Sequence, residues 1–445
     1  MVTIAQPRDN SFTNFNDYHL EIFSLIWLDA NENVSKNLNM QEKLRATINH
    51  IKEFHDVEEC KNYIEKASED DRLVLIASSQ LGRQLVPSIH QLRQLSAVYI
   101  KSENNESNEK WAYEFAKLKE VNANFDELVS QINEDHKRQR KMEEPVWINV
   151  FTTTRDPGKS TTGINGQFVF SQLLIDCLLQ LKSNEIDKHE LISCFEKEYE
   201  GNQSELNRIR EFQKDYSIDK ALWWYTRDSF FYKTLNAALR KQNIHMIFLY
   251  RSFITDIYRQ LQHYQSKHSV RVYRSQLISS DELNCLQKSI GQFVSVNSFL
   301  STSIQREIAD FYMGDRTQMI NLERVLFEID ADSKVVKTKP FANITMLSYF
   351  ADEEEVLFML GSIFRLNSIT YDDDNQVWII EMSLCADDEH RLKQVLGDMK
   401  KEIDADETNL CTLGKVLWMM GNIDLAKIYY IRCKGLRKYS LTDCF

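Results

Sequence analysis

From Phe168 to Tyr264 apolar residues recur at the three- and four-residue spacing of helices, and at Val270 the spacing drops to two. Apolar side chains three and four apart line one face of a helix, whereas alternate positions line one face of a strand. Helices are expected over Phe168 to Leu181, Glu190 to Phe212, Ala221 to Leu239 and Ile244 to Tyr264. Short strands follow at Val270–Arg274, Phe293–Leu300, Val325–Ile329, Val356–Phe358 and Val377–Leu384, with few helices between them. A block of helices ahead of clustered short strands predicts an α+β domain, a helical lobe beside two small packed mixed sheets.

The chain before this block reads differently. Apolar runs at 21–30, near Phe54, at Arg72–Ala77 and at Ala97–Ile100 alternate with helical stretches at Asn37–Ile51, Val57–Ala67, Leu85–Leu95 and Trp111–Ile132. That alternation predicts an open α/β layer with a parallel sheet, of response-receiver or flavodoxin type. At the far end, Thr408–Leu436 reads as helix, glycine turn, helix, and resembles one tetratricopeptide-like pair. The expected organisation is an α/β module over 17–135, a mostly helical connecting segment over 136–199, the α+β domain over 200–386 and a helical tail over 387–445. The charged stretch Glu134–Glu144 is read as a solvated helix end or a connector.

Composition narrows the function classes. A net charge of −12 with no dominating basic face argues against nucleic acid as a partner. No apolar run approaches the roughly 20 residues that span a bilayer, and Met1–Asn16 lacks a secretory apolar core. No membrane partner and a cytoplasmic location are therefore expected. The eight cysteines include no Cys-x-x-Cys pair, so reduced, mostly buried thiols are expected, with neither a disulfide framework nor a bound metal.

Two local motifs suggest chemistry and lose to simpler readings. Asp29 ends a strand, where a phosphoacceptor site could lie, but Ser78-Ser79 follows the third strand in place of the acceptor aspartate. Arg155-Asp-Pro-Gly-Lys-Ser160 hints at a phosphate loop, yet Thr153 stands where that loop needs glycine. The α/β module is accordingly read as a docking or scaffold domain.

Three other features stand in order along the α+β domain. Arg274 lies on the alternating strand, Ser301-Thr302-Ser303 sits at a strand edge, and Asp352-Glu353-Glu354-Glu355 runs straight into Val356-Leu357. Glu353 and Glu355, two apart in an extended segment, point the same way, and carboxylates that close favour a cationic neighbour. Each feature has a plain structural use: a surface strand arginine, a cap for the next helix, a solvated strand start. Their order and flanks resemble the Arg–Ser–Glu signature of arginine-specific mono-ADP-ribosyltransferases of the C2/C3-toxin-like clade. Gly291-Gln292-Phe293, Tyr225-Thr226, Leu235-Asn236-Ala237-Ala238-Leu239-Arg240 and Ser348 extend the resemblance over roughly residues 200–385.

The resemblance implies NAD as co-substrate, with no metal. Arg274 would hold the NAD diphosphate, with Ser275 beside it where the family often has glycine. Ser301, with Thr302 and Ser303, would line the NAD site and orient the glutamate. Glu355, directly before Val356-Leu357, would be the catalytic glutamate. Glu353 would bind the acceptor guanidinium, and Tyr349 and Phe350 would shape the acceptor loop. Phe311 and Tyr312 fit plain core. The implied partners are proteins with accessible arginines, besides any that dock on the α/β module or the tail. The other readings are a catalytically silent scaffold and an NAD glycohydrolase, in which water replaces arginine.

Overall fold

A computed structural model describes residues 20–30, 41–68, 71–102, 111, 114–122, 124–143, 147–151, 164–312, 322–334, 338–350, 354–385, 390–402 and 408–434. The first unit is a parallel sheet. Strands β1 (Phe23–Leu28), β2 (His50–Phe54), β3 (Arg72–Ser78), β4 (Leu95–Lys101) and β5 (Leu118–Asn122) run in the order β2-β1-β3-β4-β5. This is the strand order of flavodoxin-like sheets. Helices α1 (Val57–Lys66), α2 (Ser79–Ile89) and α3 (Phe125–Glu143) connect and cover it. β1, β3 and β4 are buried almost throughout, as strands covered on both faces must be. Gly82 lets α2 lie close on the sheet, since a Cβ there would meet Ile100 at 2.6 Å.

One reading is corrected here. The segment read as one helix from Trp111 to Ile132 contains β5, a half-buried edge strand whose sequence Leu-Lys-Glu-Val-Asn hides it among polar residues. Of the two readings of the charged stretch, the structure takes the helix end: it closes α3, which begins at Phe125 and runs through Glu143.

The strands of the second unit form one hydrogen-bonded ladder among the described residues. They are β6 (Ile148–Phe151), β7 (Val270–Ser279), β8 (Phe293–Val296), β9 (Leu300–Ser303), β10 (Leu322–Ala331), β11 (Phe341–Asn343), β12 (Glu355–Phe358), β13 (Ser362–Asp372) and β14 (Val377–Leu384). Their order is β11-β12-β9-β7-β10-β14-β13-β8-β6. The two sheets expected from the sequence are thus joined, through a single bridge between Tyr273 and Ser303. β8 and β9 are separated by three residues yet lie far apart in this order, so the ladder folds over on itself. Val294, Leu300, Phe327, Phe358 and Phe364 fill its inside. Residues 136–199, expected as a connector, supply the edge strand β6 and two helices of the helical lobe.

That lobe contains α4 (Ile164–Gln180), α5 (Glu185–Glu198), α6 (Gln203–Asp215), α7 (Ala221–Thr226), α8 (Phe230–Arg240) and α9 (Ile244–His263). The stretch read as one helix from Glu190 to Phe212 is two, broken at Gly201, whose φ of +80° no helix accommodates. Phe212 is a hub of the core, with Trp224, Phe230, Phe231 and Phe253 centred 5.0–5.6 Å away. Truncation of such a phenylalanine to alanine costs about 3–5 kcal/mol. Short helices α10 (Ser280–Gln287) and α11 (Arg306–Tyr312) connect the strands, and α12 (His390–Glu402) follows them.

The tail is the helix pair α13 (Leu410–Met419) and α14 (Ile423–Cys433). It is not free-standing: Leu413, Leu417 and Tyr429 belong to the same core as α4 and α9. The thiol expectation is corrected here, because Cys411 and Cys433 form a disulfide across the pair, with Cα atoms 5.5 Å apart. Among the free cysteines, burial pushes the Cys60 and Cys177 thiols up to about 12. No described helix is long and apolar enough to cross a membrane.

Glu190 on α5 ties the tail down. It meets His245 Nε2 at 3.1 Å and accepts two bonds from Arg432 at 2.9 and 3.0 Å. The bond with His245, then those from Arg432, hold its carboxyl at about 2 against an ordinary 4.5. The unfolded chain therefore takes up this proton first, and the contribution present above pH 4.5 is lost as pH falls toward 2. Thermal melts at about pH 5 and about pH 3 should show a smaller drop for Glu190→Gln than for the wild type.

Candidate active site

Strand β9 is the centre of the site. On one side it pairs with β12, Glu355 opposite Ser303, Val356 opposite Thr302 and Leu357 opposite Ser301. On the other it meets β7 through Tyr273. Because cross-strand partners point the same way, Ser301, Ser303 and Glu355 share one face of the β9–β12 ladder. Thr302 turns to the other face, where its Oγ1 donates to the Val356 carbonyl at 2.7 Å. Ser303 Oγ accepts from Gln305 N at 3.1 Å, so it also helps start α11.

Arg274 reaches this ladder from β7. Its Nη1 donates to the Ser301 carbonyl at 2.9 Å and its Nε to Gln276 Oε1 at 3.4 Å. The side chain is half-buried, and its Nη2 carries no bond among the described residues. Ser275 points to the opposite side of β7, is buried, and donates to the Ala309 carbonyl of α11 at 2.5 Å. Ser301, Ser303 and Glu355 thus share one face of the ladder. The Tyr273–Ser303 bridge puts Tyr273 and Ser275 on that side of β7, and Arg274 reaches the Ser301 backbone from the opposite side.

Glu355 is only 7% exposed and opens β12, and its carbonyl accepts from Ile344 N at 2.8 Å. Glu354 before it has a φ of +43°, a left-handed conformation that costs a non-glycine residue energy and concentrates at functional sites. The turn swings Glu354 out of the ladder and delivers Glu355 into it. Glu353 lies outside the described residues.

The loop leading to this turn is pinned to the helical lobe. Tyr349 N donates to Thr226 Oγ1 at 2.8 Å, and its ring meets Trp223 at 5.5 Å. The Arg227 guanidinium stands 5.0 Å from Trp223 and 5.9 Å from Tyr349, and pairs with Glu211 at 2.9 Å. Met346 on the same loop is 92% exposed. The backbone of Phe350 donates to Ser348 Oγ at 3.1 Å. Sequence reasoning assigned no role to Phe299, two residues before Ser301, whose ring meets Tyr225 at 4.9 Å. The pairing joins positions far apart in the chain, and its sequence signals were the Tyr225-Thr226 dipeptide and the Phe299-Leu300-Ser301 run, both part of the family resemblance. Phe311 and Tyr312 belong to α11, and their side chains lie outside the described residues.

No cluster of three or more metal-binding side chains occurs among the described residues. A cavity of about 270 Å³ lies elsewhere, between β2 and the end of α5, lined by Arg45, His50, Lys52, Tyr63 and Glu198 among others.

Residues 197–387 match the family model of the ADP-ribosyltransferase exoenzyme. Among solved structures the chain is similar to Plx2a, an ADP-ribosyltransferase toxin from Paenibacillus larvae, with 17% identity over 45% of this chain and 97% of that one, and a TM-score of 0.30. It is similar also to the Vis toxin, an ADP-ribosyltransferase from Vibrio splendidus, with 20% identity over 48% and 92% of the two chains and a TM-score of 0.30. The Clostridium limosum C3 exoenzyme aligns with 17% identity over 38% and 85%, with a TM-score of 0.28. No curated protein matches the chain.

Thr302→Val keeps the shape of the buried position and removes the bond to Val356. It should cost about 1 kcal/mol of stability, read from the shift of the urea midpoint.

Proposed function

We propose that the domain over 200–386 is an NAD-dependent mono-ADP-ribosyltransferase that modifies arginine side chains of proteins. The observation that carries this reading is the meeting of Arg274, Ser301 and Glu355 on β7, β9 and β12, within the stretch that matches the exoenzyme model. NAD, as co-substrate, supplies the ADP-ribosyl group and the nicotinamide that leaves.

The residues fit that substrate. A half-buried guanidinium, held at Nη1 and Nε with Nη2 to spare, suits a diphosphate oxygen. Ser301 stands on the same face as Glu355 and orients it toward the ribose. The Glu355 carboxylate is held in the ladder before any substrate arrives, so it stabilises positive charge on the ribose as the glycosidic bond lengthens. Glu353 receives the acceptor guanidinium, for which a carboxylate is the two-point partner, and takes its proton. Tyr349 and Met346 form the exposed side of the acceptor loop. Arg274 with Ser301, Ser303 and Glu355 makes up the NAD side, Thr302 supports it through its bond to the Val356 carbonyl, and Ser275 ties β7 to α11. The α/β module and the tail are read as surfaces for protein partners.

The test is purified full-length protein with labelled NAD and agmatine as a small guanidino acceptor. Glu355→Gln should lower both label transfer and nicotinamide release by about a hundredfold or more. Glu353→Gln should abolish transfer while leaving nicotinamide release within about tenfold of wild type, since it acts on the acceptor alone. Nicotinamide release without transfer by wild type would replace the transferase reading with that of a glycohydrolase. No NAD binding by calorimetry would leave the scaffold.

A further inference from the structure

Helix α8 faces two ways. Its stripe of Lys233, Ala237 and the capping Lys241, four residues apart, lies against the α/β module. Ala237 is buried in the module's own core beside residues of β1, β3 and β4. The Lys233 ammonium, 8% exposed, lies 3.6 Å from Glu21 and 3.8 Å from Glu205, and donates to the Thr47 carbonyl at 3.2 Å. Each carboxylate is held by further bonds. Glu21 accepts from Tyr199 Oη at 2.6 Å and from Asn49 N at 3.3 Å. Glu205, fully buried, accepts from Phe230 N at 3.1 Å and so caps the start of α8, which Ser229 leaves uncapped.

The neighbouring flank of α8 carries Tyr232 and Asn236. Tyr225 Oη bonds to Asn236 Oδ1 at 3.2 Å, and the Tyr225 ring meets Tyr232 at 5.5 Å and Phe299 at 4.9 Å. Phe299 immediately precedes β9. One rigid helix therefore joins a buried charge cluster shared with the module to the aromatic residues behind the serine strand.

We propose that Lys233 is a positioning residue. By bridging Glu21 of the module and Glu205 of the lobe it fixes the rotation of α8, and through Tyr225 and Phe299 it sets β9 for NAD. The α+β domain is then not autonomous: the module completes its active geometry. The inference builds on the NAD reading for its kinetic arm only.

The experiment uses full-length Lys233→Met, Lys233→Arg and the double variant Lys233→Met/Glu21→Gln. Lys233→Met removes the ammonium beside buried Glu21, while Glu205 keeps Arg208 at 2.5 Å. The single variant is exposed to misfolding, and the double variant removes the Glu21 charge as well. Lys241→Met, on the same stripe, is the control. It loses the partly exposed pair with Asp71 and a 3.4 Å bond to the Glu21 carbonyl but leaves Lys233 with the Glu21 and Glu205 carboxylates. Amide hydrogen exchange is followed over 230–240, 299–303 and the remote strand 377–384. In the double variant the 299–303 amides should exchange about tenfold faster with 377–384 unchanged, and KM for NAD should rise about tenfold with kcat nearly constant. Lys233→Arg should recover part of both effects and Lys241→Met should show neither. Faster exchange confined to residues 20–50 and 230–240, with 299–303 and KM as in wild type, would overturn the proposal and leave the cluster a simple fastener. If wild type neither binds NAD nor releases nicotinamide, the NAD reading fails, and the exchange at 299–303 still decides this one.

Discussion

The pairing of β9 with β12 is the interaction on which the rest of the second unit depends. β9 has only four residues, yet it bonds to β12 on one side and bridges to β7 on the other. Without it the strands carrying Arg274 and Glu355 would belong to separate sheets. A short strand between two partners has few bonds of its own, so its position is set by what lies behind it. That backing comes from Phe299 and Tyr225, and from Thr302 Oγ1 on the Val356 carbonyl.

The charged residues follow a consistent division. Several in the ladder pair across neighbouring strands, as Arg271 does with Asp330 through two bonds of 2.7 Å. Those at the seam between the α/β sheet and the helical lobe are buried in a cluster of both signs. Buried ion pairs return little net stability, because desolvation offsets attraction. What such a cluster does supply is a penalty for any arrangement that separates its members, which fixes how the two units sit.

Much of the fold was legible where apolar spacing was regular. β14 and α9 fall within a residue of the expected segments, β7 starts where expected and runs five residues further, and the parallel alternation of the first unit follows from its apolar runs. The rest was hidden for physical reasons. β5 sits at a sheet edge, where half-buried Leu118 and Val121 alternate with polar residues and carry a weak pattern. The helix break at Gly201 depends on a backbone angle that a single glycine only permits. The Trp147–Phe151 run reads as a short strand and is one, β6, but its pairing with β8, far along the chain, leaves no mark in the sequence. For the site, the strands bearing Arg274, Ser301 and Glu355 were readable from their flanks. That Ser301, Ser303 and Glu355 share a face and Thr302 does not became visible only once the strand pairing was known. The left-handed turn at Glu354, which leads Glu355 into its pairing with β9, has no signature in a stretch of consecutive acids.

The disulfide between Cys411 and Cys433 spans 22 positions and encloses the turn at Gly421, whose φ is +79°. The last two described helices thus form a covalent ring rather than an open hairpin. A protease that cuts at this turn would leave both arms attached, each still anchored to the lobe through Leu417 and Tyr429. The tail of this protein can lose the continuity of its backbone without losing its place.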